Sequence, residues 1–177
     1  MNSKLEITTL AELLRASHIK RWGIVQHVGT QNIAEHMYRV WTMVRHLGPK
    51  VALHPEEQQK AELLALLHDV PEIRTGDSPT PIKVPEFKAH LAEVEREIYP
   101  ELAELHTSCE KKTLDLLKFC DTAEAVLFLQ VNGVGQHAQS VMLLLEKQME
   151  ERLRKSGMPV FEQDVLMVEY RNMRSAT

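Results

Sequence analysis

An all-α fold of about six to seven helices, packed as one compact bundle, is what this 177-residue sequence predicts. Apolar residues recur mostly at helical spacing. Only 7 Gly and 8 Pro interrupt the chain, and nothing in it reads as a pair of alternating strands, a repeat or a low-complexity tract. A single domain covering 1–177 is the default at this length, and such a chain buries roughly 70% of the surface its unfolded form exposes.

The elements follow in order. Thr9-Leu-Ala-Glu12 reads as a capping box opening a first helix, with Leu10, Leu13 and Leu14 inward. A loop spans about 21–31. Asn32-Ile-Ala-Glu35 caps a second helix with the stripe Ile33, Met37, Val40, Val44 and Leu47, stopped by Gly48-Pro49. Pro55-Glu56-Glu57 starts a third, with proline in the first turn and acids at the positive end of the dipole; it runs to about Asp69. Pro71, Gly76, Pro79, Pro81 and Pro85 then break the rhythm. A fourth helix carries Leu91, Val94, Ile98, Leu102 and Leu105, bent or broken at Pro100. Further helices are expected over about 108–131 and 136–155, and a short one over about 164–173.

Composition excludes several classes. Hydrophobic content of 44% and charged content of 26% are those of a globular protein, not a disordered one. The net charge of −4 gives no electrostatic case for duplex nucleic acid. No stretch approaches a membrane span and no secretory leader is evident, while Cys109 and Cys120 show no disulfide or CxxC grammar. These features point to a cytoplasmic protein.

Chemistry is written where polar residues interrupt apolar stripes. Leu114, Leu117, Asp121, Ala125 and Phe128 share one helix face, so Asp121 points inward. Its carboxylate needs backbone N–H groups, an arginine or a metal to offset burial. His36 shares a face with Ile33, Val40 and Met43, as a hydrogen-bonded core residue or as a ligand. His68-Asp69 ends the third helix. Together His36, His68, Asp69 and Asp121 form an N2O2 set suited to Mn, Fe, Co, Ni or Zn.

A second acidic layer adjoins this set. Glu72 and Asp77 could relay protons, hold a second divalent ion, or be solvated loop acids. Arg21, Lys83 and Lys118 are phosphate-binding candidates, although Lys118 could simply neutralise Asp121 one turn away. Trp22 is either a packing anchor or a planar wall for a sugar or base. Neither a P-loop nor a dinucleotide fingerprint is present, nor the context of a catalytic Ser or Cys.

The order His36, His68-Asp69, Asp121 resembles the H…HD…D signature of the HD-domain metal-dependent phosphohydrolases. Arg21-Trp22, Asn32-Ile-Ala-Glu-His36, His68-Asp-Val-Pro-Glu72, Thr75-Gly-Asp77, Pro79-Thr-Pro-Ile-Lys83 and Lys118-Phe-Cys-Asp121 extend the likeness to the bacterial 5′-deoxynucleotidases. With only 52 positions between Asp69 and Asp121, the compact form is most similar to the dATP triphosphohydrolases of phages whose DNA carries 2-aminoadenine.

The resemblance implies cleavage at the 5′ α-phosphate of a small deoxynucleotide, releasing the deoxynucleoside. It implies a divalent metal (Zn, Co or Mn) on His36, His68, Asp69 and Asp121. Glu72 would move the proton of the attacking water; Asp77 would assist it or help hold a second ion. Arg21, Lys83 and Lys118 would clamp phosphates. Trp22 would pack on the deoxyribose and Ile24 would lie near the base edge. A homo-oligomer is implied, dimer-based or a hexamer. The competing readings are a general 5′-deoxynucleotidase acting on monophosphates and a non-catalytic helical module that senses nucleotides.

Overall fold

The computed structural model describes residues 5–78 and 84–177. Helices α1 (Leu10–Leu13), α2 (Ile33–Leu47), α3 (Pro55–Leu67), α4 (Glu72–Thr75), α5 (Pro85–Ile98), α6 (Pro100–Ser108), α7 (Lys111–Asn132), α8 (Gly135–Lys155) and α9 (Val160–Ala176) follow one another with no strand among the described residues. Seven of them are nine residues or longer. Among the described residues, no helix is long and apolar enough to cross a membrane.

Local sequence explains most boundaries. Asn32 and Glu35 form a reciprocal capping box at the start of α2, each side chain accepting from the other residue's amide. Pro55 occupies the first turn of α3, where its missing N–H is no loss. Pro100 breaks the expected fourth helix into α5 and α6, with Tyr99 leaving helical geometry at φ −145° and ψ 79°.

The 22-residue α7 is the axis of the bundle and packs against α2, α3, α8 and α9. Leu116, Ala123 and Val126 of α7 are fully buried with Val40, Val44 and Leu47 of α2, Leu64 of α3, and Leu166 and Tyr170 of α9. Truncating Leu116 to alanine is expected to cost about 2–5 kcal/mol. At the α7–α8 corner a Cβ on Gly133 would stand 2.6 Å from the Leu129 carbonyl oxygen, so only glycine lets the chain turn there.

Three expectations are corrected. Leu10 and Leu14 are 71% and 67% exposed, because α1 lasts one turn and tightens into a 3₁₀ segment at Leu14, which rotates Ala16 inward instead. Helix α3 stops at Leu67 rather than Asp69, and Glu72 opens a separate short turn after Pro71. Helix α9 runs 17 residues, started by Pro159 and held by buried Leu166 and Tyr170, much longer than the expected 164–173.

One buried polar cluster ties α3 to α7. Glu57 is 5% exposed and accepts from Lys60 Nζ (2.7 Å), the Glu110 amide (2.8 Å) and the Thr113 hydroxyl. Burial alone would raise its pKa, but these donors outweigh it and bring the carboxyl to about 2. A depressed folded-state value means stability that is present above the ordinary carboxylate range and lost as pH falls through it. Glu57→Gln is therefore expected to lose on the order of 2 kcal/mol at pH 7 in urea unfolding. The gap to wild type should close as pH falls toward 2.

Candidate metal centre

Two helices and the turn after one of them bring His36, His68 and Asp69 together, and a third helix sets Asp121 against His36. His36 on α2 is fully buried, and its Nε2 lies 3.3 Å from His68 Nε2, 3.5 Å from Asp69 Oδ2 and 3.2 Å from Asp121 Oδ1. His68 Nε2 is 3.5 Å from Asp69 Oδ1. His36, His68 and Asp69 can each offer a ligand atom within 4.8 Å of the others, and Asp121 joins through His36. His68 caps α3, so Asp69 leaves the helix just where the chain turns, and both side chains reach the same cluster.

Both imidazoles turn their protons away from the centre. His36 Nδ1 donates to Glu124 Oε2 at 2.6 Å, and His68 Nδ1 donates to the Ala65 carbonyl at 2.9 Å. A carbonyl can only accept, and an ionised carboxylate likewise, which sets the tautomers and leaves each Nε2 lone pair facing the carboxylates. Two imidazole lone pairs then face the Asp69 and Asp121 carboxylates; Lys118 offsets charge on the Asp121 side, and a divalent cation between the rings and carboxylates would answer the rest. The separations of 3.2–3.5 Å compare with about 3.4 Å between donors spaced tetrahedrally at zinc bond lengths. The residues fit a divalent ion.

The electrostatics agree. Burial and the Arg21 guanidinium push the His36 pKa down, but the Asp121 and Glu124 carboxylates beside its ring prevail and leave it raised. Burial would raise Asp121, yet Lys118 and His36 bring it well below the usual carboxylate range. Asp69 is likewise lowered against its burial by the two histidines and Arg21.

The other expected site residues divide into groups. Lys118 Nζ sits 2.6 Å from Asp121 Oδ2 with its side chain 55% exposed, so it neutralises the acid one turn away. Glu72 is buried at the start of α4, its amide donating to the Asp69 carbonyl at 3.0 Å. Asp77 is joined to Trp22, whose amide donates to Asp77 Oδ2 at 3.2 Å. Trp22 has φ 68° and is stacked on Phe128, centroids 5.6 Å apart and planes 4° apart. Its indole N–H donates to Gln31 Oε1 at 2.8 Å. Ile24 is 52% exposed. Lys83 and the rest of Pro79-Thr-Pro-Ile-Lys83 lie outside the described residues.

The sequence reading missed Glu124. Only 1% exposed, it accepts from His36 Nδ1 and from Gln31 Nε2 (2.8 Å), with Arg39 Nη1 at 3.2 Å and Arg21 Nη1 at 3.6 Å. The signal was available: Glu124 stands three residues after Asp121 inside an apolar run of α7, on the same face.

Comparison with known proteins decides the family. The 5′-deoxynucleotidase YfbR-like family matches residues 8–152. The chain belongs to the YfbR-like HD phosphohydrolases. Within that family it is 52% identical over 166 residues to a dATP triphosphohydrolase of Cyanophage S-2L, covering 94% of this chain and 95% of the relative. A 5′-deoxynucleotidase of Vibrio cholerae is 32% identical over 114 residues, covering 60% of this chain and 52% of that protein. The solved structure of the Cyanophage S-2L HD phosphohydrolase (DatZ), bound to dA and one catalytic Zn2+ ion, superposes with a TM-score of 0.95. It is 51% identical and covers 98% of this chain and all of that one.

Proposed function

We propose that this HD phosphohydrolase cleaves dATP at the 5′ α-phosphate ester, giving deoxyadenosine and triphosphate. The observation that carries the reading is the cluster of His36, His68 and Asp69, with Asp121 against His36 and both Nδ1 atoms hydrogen-bonded away from the cluster. The 52% identity to a dATP triphosphohydrolase over nearly the whole chain supports the substrate. His36, His68, Asp69 and Asp121 would hold a divalent ion, Zn, Co or Mn, which would supply Lewis-acid polarisation of phosphoryl oxygen and activation of the attacking water.

The chain's own groups do the rest. Glu72 takes the proton of the attacking water, a role its burial beside Asp69 supports. Asp77 assists it or helps Glu72 hold a second ion. Arg21 Nη1 is buried and has no hydrogen-bond acceptor among the described residues, which favours an incoming phosphate oxygen. Lys118 and Lys83 add positive charge against the transition state. Trp22 packs on the deoxyribose and Ile24 borders the base. Trp22→Ala is expected to lower the ratio of kcat/KM for dATP over ATP about tenfold to a hundredfold, since steric rejection is worth a few kcal/mol.

The reading extends to the nucleotide pool: a phage enzyme that removes dATP from host cytoplasm would leave 2-aminoadenine deoxynucleotide for the polymerase. It also extends to a homo-oligomer, dimer-based or hexameric, supported by exposed Leu143, Leu144, Val160 and Phe161 on α8 and α9. Light scattering that finds only monomer would remove that part.

The second reading, a general 5′-deoxynucleotidase, is favoured by the family match and uses the same ligands. The test is a panel of dATP, dAMP, ATP, dGTP and 2-amino-dATP with Zn2+, Co2+ or Mn2+. Hydrolysis of dATP with the 2-amino analogue spared supports the proposal. Turnover of dAMP with dATP untouched moves the protein to the second reading. Metal-loaded protein silent on every substrate leaves a nucleotide-sensing module.

A further inference from the structure

We infer that Glu124 is a positioning residue that sets the metal ligand His36 and the Trp22 wall from a single buried carboxylate. Its two oxygens face different parts of the site. Oε2 accepts the Nδ1 proton of His36, which fixes the ring and aims Nε2 at Asp69 and Asp121. Oε1 accepts from Gln31 Nε2, and the other end of that amide, Oε1, accepts the Trp22 indole proton. The Gln31 orientation is therefore dictated from both sides: a flipped amide would turn its N–H groups on the indole donor and its oxygen on a carboxylate.

Trp22 needs this hold. Its φ of 68° is uncommon for a bulky side chain, and the indole bond to Gln31, the Asp77 bond to its amide and the Phe128 stack keep it there. Charge balance follows the same plan. A carboxylate 1% exposed is tolerated because Arg39 and Arg21 lie 3.2 and 3.6 Å away, so Glu124 also anchors the cation proposed to meet phosphate. One side chain thus links ligand, cation and sugar wall, and α7 carries it on the same rigid face as Asp121.

The inference rests on the proposed function for its substrate, but its first readout does not. The full-length protein is titrated with Zn2+ against a competing chelator, and the visible spectrum of the Co2+-loaded form is recorded. Glu124→Gln is expected to weaken Zn2+ about tenfold to a hundredfold, to change the Co2+ spectrum and to weaken deoxyadenosine. Gln31→Leu is expected to weaken deoxyadenosine about tenfold while leaving Zn2+ affinity at the wild-type value. Leu116→Ala, a core truncation, separates general destabilisation from the effect and should bind Zn2+ normally.

Should Glu124→Gln not fold by circular dichroism, Glu124→Asp carries the same expectation for Zn2+, since it keeps the charge but withdraws the carboxylate from His36. A folded variant at position 124 with wild-type Zn2+ affinity and Co2+ spectrum overturns the inference. So does Gln31→Leu weakening Zn2+ as strongly as the change at 124. Failure of the wild type to hydrolyse dATP would sink the proposed function and leave the Zn2+ result standing.

Discussion

Asp121→Asn is expected to lose its metal and its turnover together. The side chain stands on the long α7, its Oδ1 3.2 Å from His36 Nε2 and its Oδ2 in the grip of Lys118. An amide of the same shape keeps the packing but removes one of the two carboxylate charges that answer a divalent ion. It also places a neutral group against Lys118, which then adds uncompensated positive charge beside the centre. Zn2+ retained after dialysis should fall at least about a hundredfold in affinity, by the loss of a charged ligand. Hydrolysis should fall with it. The helical circular dichroism should stay that of the wild type, because Asp121 lies at the rim of the core and not within it. Full Zn2+ occupancy in a variant with reduced turnover would remove Asp121 from the ligand set.

Glu72→Ala is expected to separate the two properties. Glu72 opens the short α4, buried and three residues after Asp69, whose carbonyl its amide bonds, and it is not one of the four residues of the cluster. Its loss should leave Zn2+ binding within about twofold of wild type and lower kcat about 10²–10⁴-fold, the usual contribution of a general base. KM should change far less. Wild-type turnover by the Zn2+-loaded variant would end the assignment of Glu72 as proton acceptor.

Much of this site could be read before the fold was known. His36 and Asp121 announce themselves by interrupting apolar stripes, and a helix converts that spacing directly into a shared face. His68-Asp69 at the end of an apolar helix is legible for the same reason. The loop residues are another matter. Trp22 and Asp77 lie 55 positions apart, and no periodicity links a left-handed loop residue to the carboxylate that holds its amide. Glu124 is harder to read because it falls beside, not on, the stripe of Leu114, Leu117, Asp121, Ala125 and Phe128. A strip of helix wide enough to take in the position three after Asp121 would have included it.

The fold shows the same division. Proline and capping signals located α2, α3 and the break at Pro100, whereas α1 defeated the pattern because one turn of helix is too short for its register to persist. Helix α9 was underestimated because its start is set by Pro159 and its length by packing on Leu166 and Tyr170, contacts that depend on where the rest of the chain lies.

The most direct test of the account is hydrolysis of dATP by the Zn2+-loaded protein in ¹⁸O-enriched water, with products separated by ion exchange and weighed by mass spectrometry. The account predicts unlabelled deoxyadenosine and intact triphosphate carrying one ¹⁸O atom, because water attacks the α-phosphorus and the 5′ oxygen leaves with the nucleoside. Release of pyrophosphate with dAMP, of phosphate with dADP, or of labelled deoxyadenosine would contradict it.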